Sequence, residues 1–170
     1  MAKQSFPYSM LDLAHVAEGD NLQKTFHRSL CTAQKAEELG FTRYWFSEHH
    51  NMASVASAAT SVLIGYVAQQ TNSIRVGSGG IMLPNHAPLI IAEQFGTLEE
   101  LYPGRIDLGL GRAPGTDNAA TIAIRKTAAY VEYDFKLHIK ELQSYFHNTN
   151  ERARVRAIIG KQHQQCIPRR

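Results

Sequence analysis

Residues 74–117 read IRVGSGGIMLPNHAPLIIAEQFGTLEELYPGRIDLGLGRAPGTD and contain a complete strand–helix–strand pattern. The spacing predicts a strand over Ser73–Leu83 that ends in glycines, and then a helix over Pro88–Leu101. Pro88 fits the first turn of that helix, where an absent N–H leaves no hydrogen bond unmade. The run RIDLGLG predicts the next strand over Arg105–Gly111. A strand, a crossing helix and a second strand at this spacing are typical of a parallel βαβ unit.

The same alternation continues towards the N-terminus. Two more strands are predicted at Tyr8–Leu13 and Arg43–Ser47, each followed by a helix, at Asn21–Leu39 and Ser57–Gln70. A fourth helix is predicted over Ala129–Phe146, after a loop of small residues. Apolar residues of the first helix recur at spacings of three and four, at Leu22, Phe26, Leu30 and Ala33. Four such units predict an α/β fold with a parallel sheet, either open and doubly wound or closed into a barrel.

Composition favours one globular domain. The chain has 170 residues, of which 44% are hydrophobic and 19% charged, and this excludes collagen-like, disordered and disulfide-scaffold classes. No apolar run is long enough to span a membrane, and the N-terminal sequence shows no signal peptide. No membrane partner is therefore expected. The chain has only two cysteines, Cys31 and Cys166, which fits a reducing compartment, so a cytoplasmic protein is expected.

The positive charge of the chain is concentrated at its C-terminal end. Residues 151–170 carry six Lys and Arg side chains against one Glu, a net charge of +5, while the whole chain carries +3. The preceding part is therefore slightly acidic, which argues against a nucleic-acid partner. The strand–helix pattern stops after Ala157, so residues 1–157 are interpreted as the folded domain and residues 158–170 as a basic tail, expected to be disordered. A tail that binds nucleic acid or another partner is the alternative.

Several polar groups and glycines follow the predicted strands, at the edge where parallel α/β folds bind ligands. Glu48-His49-His50 follows the second strand. Neighbouring residues on a strand point to opposite sides, so only one histidine faces the interior, where it is available for proton transfer or hydrogen bonding. A metal site built on one strand needs ligands at positions i and i+2, so the adjacent histidines argue against a metal, and none is expected. Histidines that cap a loop or border the core are the alternative.

Two further groups are rich in glycine. Gly77-Ser78-Gly79-Gly80 ends the third strand, where missing side chains would let a backbone or a flat ring approach closely; a β-bulge is the alternative. Gly109-Leu110-Gly111-Arg112 ends the fourth strand. Arg112 is a candidate to face an anionic group, with a surface arginine as the alternative. Neither spacing matches a dinucleotide-binding motif.

The remaining candidates at this edge are Asp12 and Asn85-His86. Asp12 follows the first strand, where it would either orient a ligand or cap a turn. Asn85 and His86 follow the third strand, where they would either contact a ligand or cap the next helix. The sequence contains no GxSxG motif, so no nucleophile constellation is indicated, and it contains neither a P-loop lysine nor an HExxH pair.

Taken together, GFTRYWFSEHH (40–50), the stretch 74–117 and YSMLDL (8–13) resemble the bacterial luciferase-like family of flavin-dependent monooxygenases, over about residues 5–157. The resemblance implies a (β/α)₈ barrel that holds FMN. Reduced flavin, delivered by a separate flavin reductase, would react with O₂ and oxygenate a small organic substrate.

The resemblance also assigns roles to individual residues. It implies proton transfer by His49, a non-prolyl cis peptide at Gly79 and Gly80 under the flavin, and cofactor contacts from Arg112 and Met82. Contacts with substrate or loops are then expected from Asp12, Asn85 and His86.

The predicted fold is only part of such a barrel. A (β/α)₈ barrel takes about 250 residues, so this chain is predicted to be the first four βα units of a TIM barrel, a truncated half barrel. The loss of pattern after Ala157 suggests a frameshift or premature stop in a longer gene. Because a half barrel exposes two sheet edges and an apolar face, dimerisation or aggregation is expected. An inactive or weakly flavin-binding fragment and a deazaflavin-dependent dehydrogenase of the same fold are the alternatives.

Overall fold

Four parallel strands form one sheet in the part of the chain that the structure describes, a computed structural model covering residues 6–113, 115–125, 135–147 and 155–157. The strands lie side by side in chain order, so each crossover returns to the neighbouring position. Their bounds are β1 Ser9–Asp12, β2 Arg43–Phe46, β3 Arg75–Met82 and β4 Ile106–Gly111. Each lies within the range predicted from sequence, and the parallel α/β fold is confirmed.

Helices connect the strands and follow the last one. They are α1 Leu22–Glu38, α2 Thr60–Gln69, α3 Pro88–Leu101, α4 Asn118–Arg125 and α5 Phe135–His147. A short 3₁₀ turn, Leu83–Asn85, follows β3. None of the described helices combines the length and the apolar character that crossing a membrane requires.

The helix α4 lies where the sequence predicted only a loop. The carboxylate of Asp117 accepts the backbone N–H of Ala120 at 2.8 Å and so caps the helix at its start. Eight residues are too few for the apolar spacing to stand out, which explains the wrong prediction. The helix predicted over 129–146 corresponds to α5 from Phe135 onward, and residues 129–134 lie outside the described part, as do residues 158–170.

The core lies between the outer face of the sheet and the helices. It is formed by side chains of β2, β3 and β4 packed against α2 and α3, with the largest contributions from Tyr44, Phe46, Val76, Leu108, Ile64, Ile91 and Phe95. On α1 the buried face differs from the predicted stripe, because Leu22 is 54% exposed while Thr25 and Ser29 are buried. The Thr25 hydroxyl donates to the Asn21 carbonyl at 3.1 Å, so this polar group is buried with a hydrogen-bond partner.

The opposite, inner face of the sheet carries a charged layer near the start of the strands. The carboxylate of Asp107 accepts hydrogen bonds from Arg43 Nε at 3.0 Å, Trp45 Nε1 at 3.2 Å and Arg75 Nε at 2.9 Å. Its side chain is only 6% exposed. One residue of β4 therefore ties β2, β3 and β4 together on the face that a closed barrel places inside.

Glu37 fixes the loop between α2 and β3 from outside the sheet. Its carboxylate accepts the backbone N–H groups of Asn72, Ser73 and Ile74 at 2.9, 2.5 and 2.8 Å. Burial alone would raise the pKa of Glu37, but these three bonds to the charged form outweigh it and lower the pKa from 4.5 to about 2.

Replacing Glu37 with glutamine is expected to lower the free energy of unfolding at pH 7 by about 1–2 kcal/mol, as measured by urea denaturation. The pKa of Glu37 is lower in the folded chain, so its contribution is complete above about pH 4.5 and disappears as the pH falls towards 2. The matched control is Glu38→Gln, because Glu38 pairs with exposed Lys35, at 2.7 Å, and the change should alter stability by less than about 0.5 kcal/mol. Equal losses in the two variants, or a Glu37→Gln loss that is the same at pH 7 and pH 2, would contradict the expectation.

Candidate active site

The loops that follow β2 and β4 meet at the carboxyl-terminal edge of the sheet. The His50 backbone N–H donates to the Gly115 carbonyl at 3.2 Å, and the Thr116 hydroxyl donates to the His50 carbonyl at 3.2 Å. Asn51 Nδ2 donates to the Asp117 carboxylate at 2.7 Å. These bonds hold one rim of the candidate site together.

Glu48 is the centre of the polar network at this edge, and its side chain is only 1% exposed. Its Oε1 lies 2.8 Å from His50 Nε2 and 2.8 Å from His86 Nε2. Asn85 Nδ2 donates to the same oxygen at 3.4 Å, and the Met82 backbone N–H donates to Oε2 at 2.9 Å. Four residues therefore contact Glu48, a residue with no role predicted from the sequence: His50, Met82, Asn85 and His86.

The environment of Glu48 keeps its carboxylate ionised. Burial by itself raises the pKa of Glu48, but hydrogen bonds from His86, His50 and the Met82 N–H lower that pKa below its usual value. Each oxygen of this buried carboxylate therefore has at least one hydrogen-bond partner within the protein. The signal available in the sequence was the spacing of Glu48 and His50, two residues apart after a buried strand.

His49 has different partners from His50. Its Nδ1 lies 3.2 Å from the Ser47 hydroxyl, which in turn lies 3.3 Å from the Ser57 hydroxyl. His49 is half-buried, and its Nε2 has no hydrogen-bond partner among residues 6–113 and the other described segments. The ring is thus oriented through one nitrogen, while the other is available to exchange a proton with a ligand.

Gly79 and Gly80 occupy two different surfaces of β3, and the peptide bond between them is cis, as the family resemblance implied. A Cβ atom on Gly79 would lie 2.8 Å from Leu11 Cδ1 and 3.1 Å from Trp45 Cε3, on the inner face. A Cβ atom on Gly80 would lie 2.6 Å from the Gly109 carbonyl oxygen of β4. Gly80 therefore permits close pairing with β4, while Gly79 lets the side chains of Leu11 and Trp45 pack directly against the β3 backbone.

Arg112 and Met82 occupy unlike positions around this edge. Arg112 is exposed and forms no hydrogen bond or ion pair with the rest of the described chain. Met82 is half-buried, and its side chain packs beneath the loop after β4, because a Cβ on Gly111 would lie 2.6 Å from its sulfur. Arg112 is therefore free to meet a ligand, whereas the Met82 side chain supports the loop.

Asp12 acts on the protein itself. Its Oδ1 accepts the Ala14 N–H at 2.7 Å, and its Oδ2 accepts the Tyr44 hydroxyl at 2.5 Å. Burial and the bond to Asp12 together raise the pKa of Tyr44, so this phenol stays protonated. Of the two roles that the sequence left open for Asp12, this geometry matches the turn cap.

Solved structures share this arrangement of strands and helices. Apo-MsnO8 matches 89% of this chain with a TM-score of 0.82 at 34% identity, and this chain covers 44% of it. Two others show the fold alone. The oxygenating constituent of 3,6-diketocamphane monooxygenase from Pseudomonas putida, in complex with FMN, matches 83% of this chain with a TM-score of 0.70 at 20% identity, and this chain covers 38% of it. An F420-dependent secondary alcohol dehydrogenase with an F420-acetone adduct matches 82% of this chain with a TM-score of 0.61 at 19% identity, and this chain covers 42% of it. The described sheet and helices are those of the first four βα units of a TIM barrel, which confirms the half barrel.

Curated sequences match over nearly the whole chain. The uncharacterized protein YvbT of Bacillus subtilis is 56% identical over 154 residues, which are 90% of this chain and 46% of YvbT. A luciferase-like monooxygenase of Escherichia coli K12 is 50% identical over 160 residues, 94% of this chain and 48% of that protein. This chain thus spans about half the length of these relatives. The sequence pattern of the luciferase-like monooxygenases matches residues 6–133, and the chain belongs to that family.

Proposed function

We propose that this chain forms the N-terminal half of a flavin-dependent monooxygenase that uses reduced FMN and O₂ to oxygenate a small organic substrate. The observation that carries the proposal is His49, whose Nδ1 is held by Ser47 at the carboxyl-terminal edge of the sheet, in a chain that matches the luciferase-like monooxygenases over residues 6–133. Family membership supports the monooxygenase class, and the FMN complex of a protein with this fold supports the cofactor.

A flat aromatic ring would reach the Gly79 backbone once the side chain of Leu11, which lies over Gly79 and is 46% exposed, turns aside. Gly79 adds no side chain of its own, and the indole of Trp45 offers an apolar contact beside it. When bound, reduced flavin supplies the electrons for the activation of O₂. The protein would hold one face of the ring at Gly79 and keep water away from it.

His49 would handle protons beside the ring. Its Nδ1 is held by Ser47, so its Nε2 can donate or accept a proton at a fixed position. Arg112, at the end of β4, would face an anionic group of the cofactor or substrate. Asn85 and His86 would act indirectly, by holding Glu48 and the loop after β3.

Other parts of the whole enzyme would come from outside this chain. Barrel enzymes commonly bind phosphate with the loops after strands seven and eight, so we infer that the FMN phosphate takes most of its contacts from the second half of the barrel or from a second copy of this chain, with Arg112 as the contact that this chain adds. A separate flavin reductase would deliver reduced FMN.

Titration of the purified chain with FMN, followed by quenching of flavin fluorescence, tests the proposal. We expect saturation near one flavin per chain or per dimer, and Arg112→Ala is expected to weaken binding about five- to tenfold, because a charge-assisted contact is lost. Lys35→Ala is the matched control, since it removes an exposed cation at the far end of α1 and should leave the affinity unchanged.

Two outcomes would count against the proposal. Absence of saturable binding up to millimolar FMN would contradict a working site in this chain. Tighter binding of F420 than of FMN would instead favour a deazaflavin-dependent dehydrogenase, the activity class of one structure with this fold.

A further inference from the structure

We propose that Glu48, His50 and His86 bind a divalent transition-metal ion of the Zn²⁺ type at the rim of the candidate site. Glu48 Oε1, His50 Nε2 and His86 Nε2 all lie within 4.8 Å of one another. The proposal is independent of flavin binding, because none of these three side chains is needed to hold the ring at Gly79.

The donor atoms select the class of metal. Two imidazole nitrogens and one carboxylate oxygen form a donor set that zinc and its first-row neighbours prefer, whereas Mg²⁺ and Ca²⁺ prefer oxygen ligands alone. Three protein ligands leave a fourth position for water or another small ligand, as in zinc sites that are open rather than purely structural.

The distances between donor atoms are close to those that an ion needs. Glu48 Oε1 lies 2.8 Å from each Nε2 atom. Zinc bonds of about 2.0–2.2 Å in a tetrahedral site separate neighbouring donors by about 3.3 Å, so each distance from Glu48 to a histidine would lengthen by about half an ångström. The two Nε2 atoms, which lie within 4.8 Å of each other, would settle at a similar separation. The ion would replace the two hydrogen bonds to Glu48, with the proton of each neutral imidazole carried on Nδ1.

The carboxylate is held ready for an ion by a separate contact. The Met82 N–H donates to Oε2 at 2.9 Å, which fixes the carboxylate plane and leaves Oε1 for the histidines. Glu48 is buried, while the side chains of His50 and His86 are 21% and 27% exposed, so an ion can enter from the solvent side. A bound ion would link the loop after β2 to the loop after β3.

The adjacent histidines His49 and His50, whose spacing opposes a shared metal, bind different partners in the structure. Glu48 and His50 have the i, i+2 spacing that one strand end can offer to a single ion. The third ligand, His86, comes from the neighbouring strand's loop, and sequence spacing alone does not reveal it.

The test is a titration of the full chain with Co²⁺ alone, followed by visible absorption, with no flavin present. His27 Nε2 lies 3.6 Å from the Cys31 thiol and offers a competing site, so all measurements use a Cys31→Ser, Cys166→Ser background. We expect one Co²⁺ per chain, the intense d–d bands of a four- or five-coordinate ion, and displacement by Zn²⁺.

Variants assign the ligands. His86→Gln and His50→Gln should each weaken Co²⁺ binding roughly 100-fold or more. Loss of a residue that only hydrogen-bonds a metal ligand already lowers affinity about 10- to 100-fold, and loss of the ligand itself should lower it further. His49→Gln is the matched control and should bind as the background chain does. Glu48→Gln should also lose Co²⁺ binding. If circular dichroism shows that this variant fails to fold, the His50→Gln and His86→Gln variants still test the proposal.

Three results would overturn the proposal. They are Co²⁺ binding weaker than millimolar, only the faint bands of hydrated Co²⁺, or an affinity that His86→Gln and His50→Gln leave unchanged. The FMN titration uses a different ligand and readout, so failure of flavin binding and failure of metal binding are distinguishable.

Discussion

Replacement of Asp107 by asparagine is expected to lower the free energy of unfolding by about 2–4 kcal/mol, because it leaves Arg43 and Arg75 without their anionic partner. Loss of one member of a buried ion pair costs about 3–5 kcal/mol, and the two arginines here are partly exposed, which reduces the effect. Asparagine keeps the shape of the side chain, so packing changes little. Urea denaturation followed by far-ultraviolet circular dichroism measures the difference.

The control for this prediction is Asp20→Asn. Asp20 pairs with Arg28 at 2.6 Å, but the Arg28 side chain is 47% exposed, so the loss should stay below about 1 kcal/mol. If the two variants lost the same amount of stability, the charged layer around Asp107 would contribute no more than a surface ion pair, and the expectation would be wrong.

Asp107 also connects the charged layer to the proposed flavin surface. It accepts a hydrogen bond from Trp45 Nε1, and the ring of the same Trp45 lies beside Gly79. Trp45 is the chain's single tryptophan, so its fluorescence reports directly on this face. We expect Asp107→Asn to shift that emission even under conditions in which the chain is fully folded.

Most of the fold was accessible from sequence because its signals are local. Pro88 marks where a helix begins, and the glycines around Gly79 mark where a strand ends. The alternation of short strands with helices predicts a parallel sheet. The helix α4 was missed because eight residues show too little periodicity. The cis peptide at Gly79–Gly80 came from the family resemblance, since nothing in glycine spacing distinguishes it from an ordinary bulge.

The site was less accessible because its contacts depend on register between strands. His86 reaches Glu48 only because β2 and β3 pair with Arg43 opposite Arg75, which places the loops after both strands at the same level. The same holds for Asp107, whose partners are 32 to 64 positions away in the chain. The sequence shows Asp107 as a charged residue inside an otherwise apolar strand, but it does not indicate which residues Asp107 contacts.

Replacement of Gly79 by valine is expected to weaken FMN binding at least about 100-fold, because the new side chain would keep the ring away from the β3 backbone. The nearest atom to the added Cβ is Leu11 Cδ1, at 2.8 Å, and Leu11 is 46% exposed and can move. The fold should therefore survive, with a loss of unfolding free energy of about 1–3 kcal/mol. Fluorescence titration with FMN and circular dichroism on the same samples measure both effects.

Two further variants separate occlusion of the ring from disturbed packing. Gly65→Ala adds a methyl group on α2, against Leu98 on the outer side of the sheet, and should leave FMN affinity unchanged. The double variant Gly79→Val, Leu11→Ala restores room beside the new side chain without clearing the inner face. If it recovered FMN binding, the valine would have acted by displacing Leu11, and Gly79 would not be where the ring lies. The valine would also crowd Trp45, since its Cβ would lie 3.1 Å from Trp45 Cε3. Continued loss of binding in a folded double variant with unchanged Trp45 fluorescence would therefore support a ring held against Gly79.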